Sequence, residues 1–458
     1  MAVERAATGE LFGHPKGLSV LFATEMWERF SYYGMRALLV LYMVKYLLHP
    51  GAAEGVIGHA EIKGALESLF GPLGIQPLAS HIYGFYTALV YFTPILGGIL
   101  ADRWLGQRRT VVLGAVLMAV GHFMMAFEAL FFLALLTLIL ANGCFKPNIS
   151  TQVGGLYKPG DARRDRAFSI FYVGINLGAF FAPLVCGTLG ETVGWHYGFG
   201  AAGVGMLIGL ATYLAFRRDL PPDERTRRRA APVPNARLSP DEWRSVAALI
   251  VLFVPVTFFW ATYEQQGNTI ALWAEEFTDR SIDLGVFQAA IPTTWFQSFN
   301  PFLIFAFTPI VVALWARQAR AGREPSTVVK MAMGCAGVAL ANAIMAVAAA
   351  DTGAGERASW LWLAGYFVVI TTGELYLSPI GLSLVTKVAP GKLLSTLMGF
   401  WLATSFTGNL VAGWLGAFWS AMDKSEFFLM IGAIAAVAGA AIWAMDRPLR
   451  AALAIRPA

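Results

Sequence analysis

The chain is punctuated by apolar stretches close to the length of about 20 residues that crosses a bilayer core. Clear cases centre on Leu113–Phe127, Phe131–Ala141, Ala201–Phe216, Val246–Trp260, Pro301–Trp315 and Phe427–Met445. So many in one chain exclude a soluble globular domain: 57% of the residues are hydrophobic and 14% charged, where soluble domains carry about 25% charge. Backbone groups in hydrocarbon must be satisfied within their own segment, which selects helices here. The expected class is therefore an all-α integral membrane protein. Met1 to Lys16 is polar and lacks the apolar core of a signal peptide, so the start of the chain is expected to be retained.

Twelve spans are expected, at 17–48, 80–101, 109–128, 130–157, 166–190, 196–216, 245–277, 294–316, 326–350, 358–387, 393–420 and 425–446. An even count places both termini on one side. Most of the 34 Lys and Arg residues fall on that side, including Arg103, Arg108, Arg109, Lys158, Arg163, Arg164 and the Arg217–Arg244 set. The opposite loops are acidic, with Glu54, Glu61, Glu191, Asp279, Asp283, Asp351, Glu356 and Asp423. The positive-inside bias makes the basic side cytoplasmic, so both termini are expected there, in a multi-pass protein of the cell inner membrane. This asymmetry also accounts for the sequence pI near 9.1 without a nucleic-acid partner. The segment Arg217–Trp243 is rich in Pro and Arg and reads as a flexible bridge. Three parts follow: an N-terminal six-helix bundle over 1–216, a cytoplasmic basic linker over 217–244, and a second six-helix bundle over 245–458. This plan resembles the major facilitator superfamily, whose substrates bind near the midplane between the halves.

Ionisable side chains inside a span cost about 2.5–3.5 kcal/mol each on insertion scales and usually face a cavity where they function. The first span, ATEMWERFSYYGMRALLVLYM, places Glu25, Glu28, Arg29, Tyr32, Tyr33 and Arg36 on one helical stripe. Trp27, Phe30, Met35, Leu38 and Leu39 occupy the other face. An internal ion-pair cluster that only holds helices together is the structural alternative. Further intramembrane charges weigh against it: Lys146 in ANGCFKPNIS, Glu264 in FFWATYEQQGN and Glu374 in TTGELYLSP. Glu25, Glu28, Glu264 and Glu374 face only three bases, Arg29, Arg36 and Lys146, which leaves one acid in excess. An unpaired buried carboxyl tends to hold a proton, and a carrier that trades a proton against a salt bridge needs such a group.

The run Glu25-x-x-Glu28-Arg29-Phe-x-Tyr32-Tyr33-Gly34 resembles the signature of the proton-coupled oligopeptide transporters, in particular their bacterial members. GGILADRWLGQRRT and FYVGINLGAF resemble that family's motifs after helix 2 and in helix 5, and WATYEQQGN, WFQSFNP and GELYLSP resemble its helices 7, 8 and 10. The resemblance implies that Arg36 and Lys146 bind a peptide carboxylate and Glu374 the amino terminus. Asn176 and Asn300 would bond the peptide backbone, and Tyr32, Tyr33, Tyr86, Ser378 and Trp401 would line the substrate pockets. Glu25, Glu28, Arg29, Lys146 and Glu264 would couple the proton. The implied activity is symport of di- and tripeptides with protons by alternating access, in a monomer within the lipid bilayer, with the proton as coupling ion and no cofactor.

Two departures stand out. Many bacterial members carry two extra helices between the halves, for which the linker is too short at about 20 residues per span. Some members have two adjacent acids where this chain has Glu264-Gln265-Gln266, so Glu264 would serve alone. His81, expected at a span edge and facing outside, reads either as an interfacial polar residue or as a proton site. Cys144, Cys186 and Cys335 have no metal or disulfide spacing and read as packing residues. No HExxH, Gly-x-Gly-x-Asp, Ser/Lys dyad or P-loop is present, which argues against an enzyme and against ATP-driven transport. The absence of a soluble sensing domain argues against a receptor. The alternative within transport is a carrier of another small zwitterion or anion, such as an amino acid, nitrate or a drug.

Overall fold

The structure is a computed structural model and describes residues 10–158, 161, 163–221, 238–283, 288–353, 355–390, 393–447 and 449. Most of the expected linker and both chain ends lie outside the described residues.

Helices dominate. They are α1 (Lys16–Tyr42), α2 (His59–Phe70), α3 (Ile75–Phe92), α4 (Pro94–Leu100), α5 (Gln107–Met124), α6 (Phe131–Gly155), α7 (Arg163–Ala182), α8 (Thr188–Thr192) and α9 (Trp195–Ala215). They continue with α10 (Pro240–Tyr263), α11 (Thr269–Glu276), α12 (Phe299–Arg320), α13 (Thr327–Asp351), α14 (Trp360–Val388), α15 (Leu394–Gly416) and α16 (Lys424–Ala444). Every expected span overlaps a helix, and three of them, 80–101, 166–190 and 245–277, are each met by two: α3 and α4, α7 and α8, and α10 and α11. Among the described residues, 9 helical stretches are long and apolar enough to cross a membrane. The long helices outside that set are α1, with its row of charges, α5, and the Ser-, Thr- and Asn-bearing α15. One helix was not foreseen: α2 lies in the loop expected between the first two spans and buries only Leu66.

Local chemistry explains where several helices begin. Ser239 and Glu242 form a reciprocal capping box that starts α10, with Pro240 as its first residue. Ser326 and Asp423 accept the free N–H groups at the starts of α13 and α16. The apolar run Pro240–Glu276 is not one continuous helix. It narrows to a tighter turn at Glu264–Gly267, and Asn268 then leaves helical geometry at φ −117, ψ −95. A break of this kind at membrane depth is tolerated where the backbone is enclosed by protein, and Glu264, Gln265, Gln266 and Asn268 are all buried.

The chain divides into two compact units. The first comprises Met1–Leu39, Pro50–His59 and Phe92–Arg227; the second comprises Val40–His49, Ala60–Tyr91 and Arg228–Ala458. The two groups differ from a simple halving of the sequence, because the end of α1 and nearly all of α2 and α3 belong with the second unit. Within the first unit, α6 packs against α4 and α5, and α5 against α9. The α4–α6 contact depends on glycine: a Cβ on Gly97 would come 1.9 Å from the Gly143 carbonyl oxygen. Its loop after α6 is tied down by Arg163, which bonds Asp161 and pairs with Glu10 at 2.7 Å. These bonds from the Arg163 side chain and backbone hold the Asp161 carboxyl below its ordinary range. Within the second unit, α13 packs on α14 and α16, and α10 on α15.

Candidate functional site

In the first unit, α1 carries the charge stripe. Glu25, Glu28 and Arg29 are all buried. Arg29 grips Glu28 with two nitrogens: Nη2 donates to Oε1 at 2.7 Å and Nε donates to Oε2. Nε also lies 3.3 Å from Glu25 Oε1. The planar guanidinium fork suits this two-point contact, which a lysine cannot make. One carboxylate is thus fully engaged, whereas Oε2 of Glu25 is buried with no hydrogen-bond partner among the described residues. Arg29 also lies 5.2 Å over the Tyr32 ring, and Arg36 lies 6.0 Å over the Tyr33 ring. The two tyrosines meet edge to face at 5.2 Å.

Lys146 is half-buried on α6, and Pro147 follows it within the helix. Its helix is held by the Gly143 contact and by Asn148, whose Nδ2 donates to the carbonyls of Gly97 and Cys144. Asn176 is buried on α7 and donates to the Tyr172 carbonyl of its own helix at 3.0 Å.

The second unit carries a different carboxylate site. Glu374 Oε2 on α14 accepts a hydrogen bond from the Tyr263 hydroxyl at 2.5 Å and from Asn300 Nδ2 at 2.9 Å. Asn300 Nδ2 also reaches the Tyr263 oxygen and Thr371 Oγ1, each at 3.1 Å. Tyr263 stacks on Phe259, with ring centres 5.6 Å apart, which fixes its hydroxyl. Both donors to Glu374 are neutral, and no Lys or Arg forms an ion pair with it among the described residues. Sequence reading missed Tyr263 and Thr371. Tyr263 directly precedes Glu264, and Thr371 precedes Glu374 by three residues on one helical face. Those local signals could have marked both.

Other residues implied by the resemblance fall as follows. Trp401 is buried over Gly381, where a Cβ would come 2.0 Å from the indole, and it meets Phe253 edge on at 6.2 Å. Tyr86 and Glu264 are buried in the second unit, and Ser378 is half-buried on α14. The expectation for His81 needs correction. It sits in the second turn of α3, is buried, and stacks on Phe70 with ring centres 4.1 Å apart. The span edge was misplaced because α3 begins at Ile75, ahead of the strongest hydropathy.

The PTR2 family model, which describes the POT family, matches residues 108–230 and 229–437. The chain belongs to the POT family. A peptide transporter of Yersinia enterocolitica, YePEPT, is 35% identical over 474 residues, covering 88% of each chain. A di-/tripeptide transporter of Lactococcus lactis is 33% identical over 498 residues, covering 96% of each. Among solved structures, the peptide transporter POT in complex with sulfate aligns with TM-score 0.83 at 32% identity, covering 98% of this chain and 97% of that one. A POT family transporter in complex with 5-aminolevulinic acid aligns with TM-score 0.81 at 29% identity, covering 97% and 98%. The chain is accordingly a multi-pass membrane protein of a transporter family, and it is not an enzyme.

Proposed function

We propose that this POT family member imports di- and tripeptides together with protons by alternating access, as a twelve-span carrier of the major facilitator type. It would work as a monomer in the cell inner membrane with both termini in the cytoplasm. The observation that carries the substrate reading is Glu374: a half-buried carboxylate presented by two neutral donors and paired with no cation among the described residues. That arrangement suits a ligand ammonium group. Arg36 and Lys146 supply the complementary cations for a ligand carboxylate. The names of the Yersinia and Lactococcus relatives support a peptide as the zwitterion that carries both ends.

In this reading the proton is traded within the Glu25, Glu28, Arg29 and Lys146 group, with Glu264 as a second proton site. Protonation of a carboxyl there frees Arg29 or Lys146 for another partner, and the peptide carboxylate takes that place. Asn176 and Asn300 bond the peptide backbone, and Tyr32, Tyr33, Tyr86, Ser378 and Trp401 line its side-chain pockets. A second reading, transport of a smaller zwitterion, is favoured by the complex of a family neighbour with 5-aminolevulinic acid. Competition in reconstituted liposomes separates the two. Di-alanine and tri-alanine should compete for uptake, whereas N-acetylated di-alanine, which lacks the ammonium group, and nitrate should not. Competition by 5-aminolevulinic acid without competition by any peptide would replace the first reading with the second.

A further inference from the structure

Four asparagines inside these helices follow one habit, Asn300 bonds across to Glu374, and Asn142 does neither. Asn148, Asn176, Asn342 and Asn409 each donate Nδ2 to the carbonyl four residues back. Asn142 on α6 does not. It is 1% exposed, yet neither Nδ2 nor Oδ1 has a partner among the described residues. A buried amide left without partners costs folding free energy, and replacing it with an apolar group is ordinarily neutral or better. An amide in such a place points to use.

Its position indicates the use. Neighbouring helices occupy the adjoining faces of α6: Gly114 of α5 approaches Ala141 and Phe145, and Thr93 and Gly97 approach Gly143. Asn142 instead shares a stripe with Leu135, Lys146 and Val153, at offsets of seven and four residues. Lys146 lies one turn on along the same face, and Oε2 of Glu25 is itself buried without a partner among the described residues. The buried charged or imidazole groups on α1 and α5 besides Glu25 are Glu28 and Arg29, which hold each other, and His122; Lys16 and Arg36 of α1 and Arg108 and Arg109 of α5 are not buried. Neither ring nitrogen of His122 has a hydrogen-bond partner among the described residues. The α4 sequence, PILGGIL, contributes none.

We infer that Asn142 is a positioning residue for the Lys146–carboxylate exchange, an inference that rests on the coupling role proposed above. When a carboxyl of the α1 cluster takes up a proton, Lys146 loses its ionic partner. Asn142 Oδ1 then accepts an N–H of the Lys146 ammonium, while Nδ2 donates to the carboxyl oxygen. The amide neither gains nor loses a proton. It holds the ammonium in the protein interior until the peptide carboxylate arrives.

The isosteric pair Asn142→Thr and Asn142→Val tests this. The two side chains share shape and helix propensity, so their difference reports the hydroxyl alone. In liposomes with an acid exterior, the Thr variant should accumulate di-alanine about tenfold more than the Val variant, within the range of a typical coupling free energy between sites. Di-alanine affinity, read by ligand-induced thermal shift, should agree between them to within about threefold. Equal accumulation by the two variants would overturn the inference and leave Asn142 as a hydrated packing residue. If neither β-branched variant folds, Asn142→Ser against Asn142→Ala poses the same contrast and is read the same way. Absence of gradient-driven uptake by the unaltered protein would instead defeat the proposed function, so the two failures are distinguishable.

Discussion

Two carboxylate sites, one in each unit and the first fully buried, are built on opposite principles. On α1, Glu28 is wrapped by the Arg29 guanidinium through two nitrogens, and Glu25 stands beside the same cation. On α14, Glu374 is held by a phenol and an amide, with no fixed cation among the described residues. In the first site Glu28 and Arg29 neutralise each other, so removing either strands charge in the interior. The second is pre-organised but charge-incomplete, so its removal should affect ligands more than folding. On the proposed function, the difference separates a site that trades partners within the protein from one that takes its partner from solution.

The comparison can be broken at several depths. Arg29→Ala should have the largest effect. It leaves two buried acids uncompensated, a loss on the order of 3–5 kcal/mol of stability, read as a lowered melting temperature in detergent together with lost uptake. Glu374→Ala should leave the melting temperature nearly unchanged, and equal destabilisation by both variants would erase the contrast. Next, Lys146→Ala and Glu28→Gln should each abolish proton-driven accumulation of di-alanine. Full gradient-driven uptake in either would remove that residue from the coupling group. Glu374→Ala should then weaken di-alanine binding by about tenfold or more, because it removes a charge-assisted contact worth about 1.5–3 kcal/mol. An unchanged affinity would contradict its role toward the ammonium group. Tyr263→Phe deletes one of its two donors and should cost about 1 kcal/mol, a roughly fivefold loss of affinity. The smallest effect belongs to His81→Phe, which preserves the stack on Phe70 and should leave the pH dependence of uptake in place.

Much of this organisation was legible in the sequence because hydropathy at bilayer length is a strong signal. The expected ends of α6 and α13 lie within two residues of the observed ones. The stripe on α1 was equally legible, since one continuous helix carries it. What stayed hidden depends on contacts distant in sequence or on short segments. The Asn300–Glu374 bond joins residues 74 positions apart, and Tyr263 reaches Glu374 across 111. Helix α2 offered too short and too exposed a pattern, burying a single leucine. The break after Tyr263 lacks a proline, leaving only Gly267 and Asn268 as markers. Asn142 looked like any polar residue in a span; only the missing bond to its own helix set it apart.

The central claim, that proton flow drives peptide import, is tested most directly by di-alanine accumulation in liposomes carrying the purified protein. With the exterior acidic, the account predicts internal di-alanine rising above the external concentration, and a protonophore abolishing the excess. Accumulation that is indifferent to both the pH gradient and the protonophore would contradict it, as would a complete lack of uptake of any di- or tripeptide.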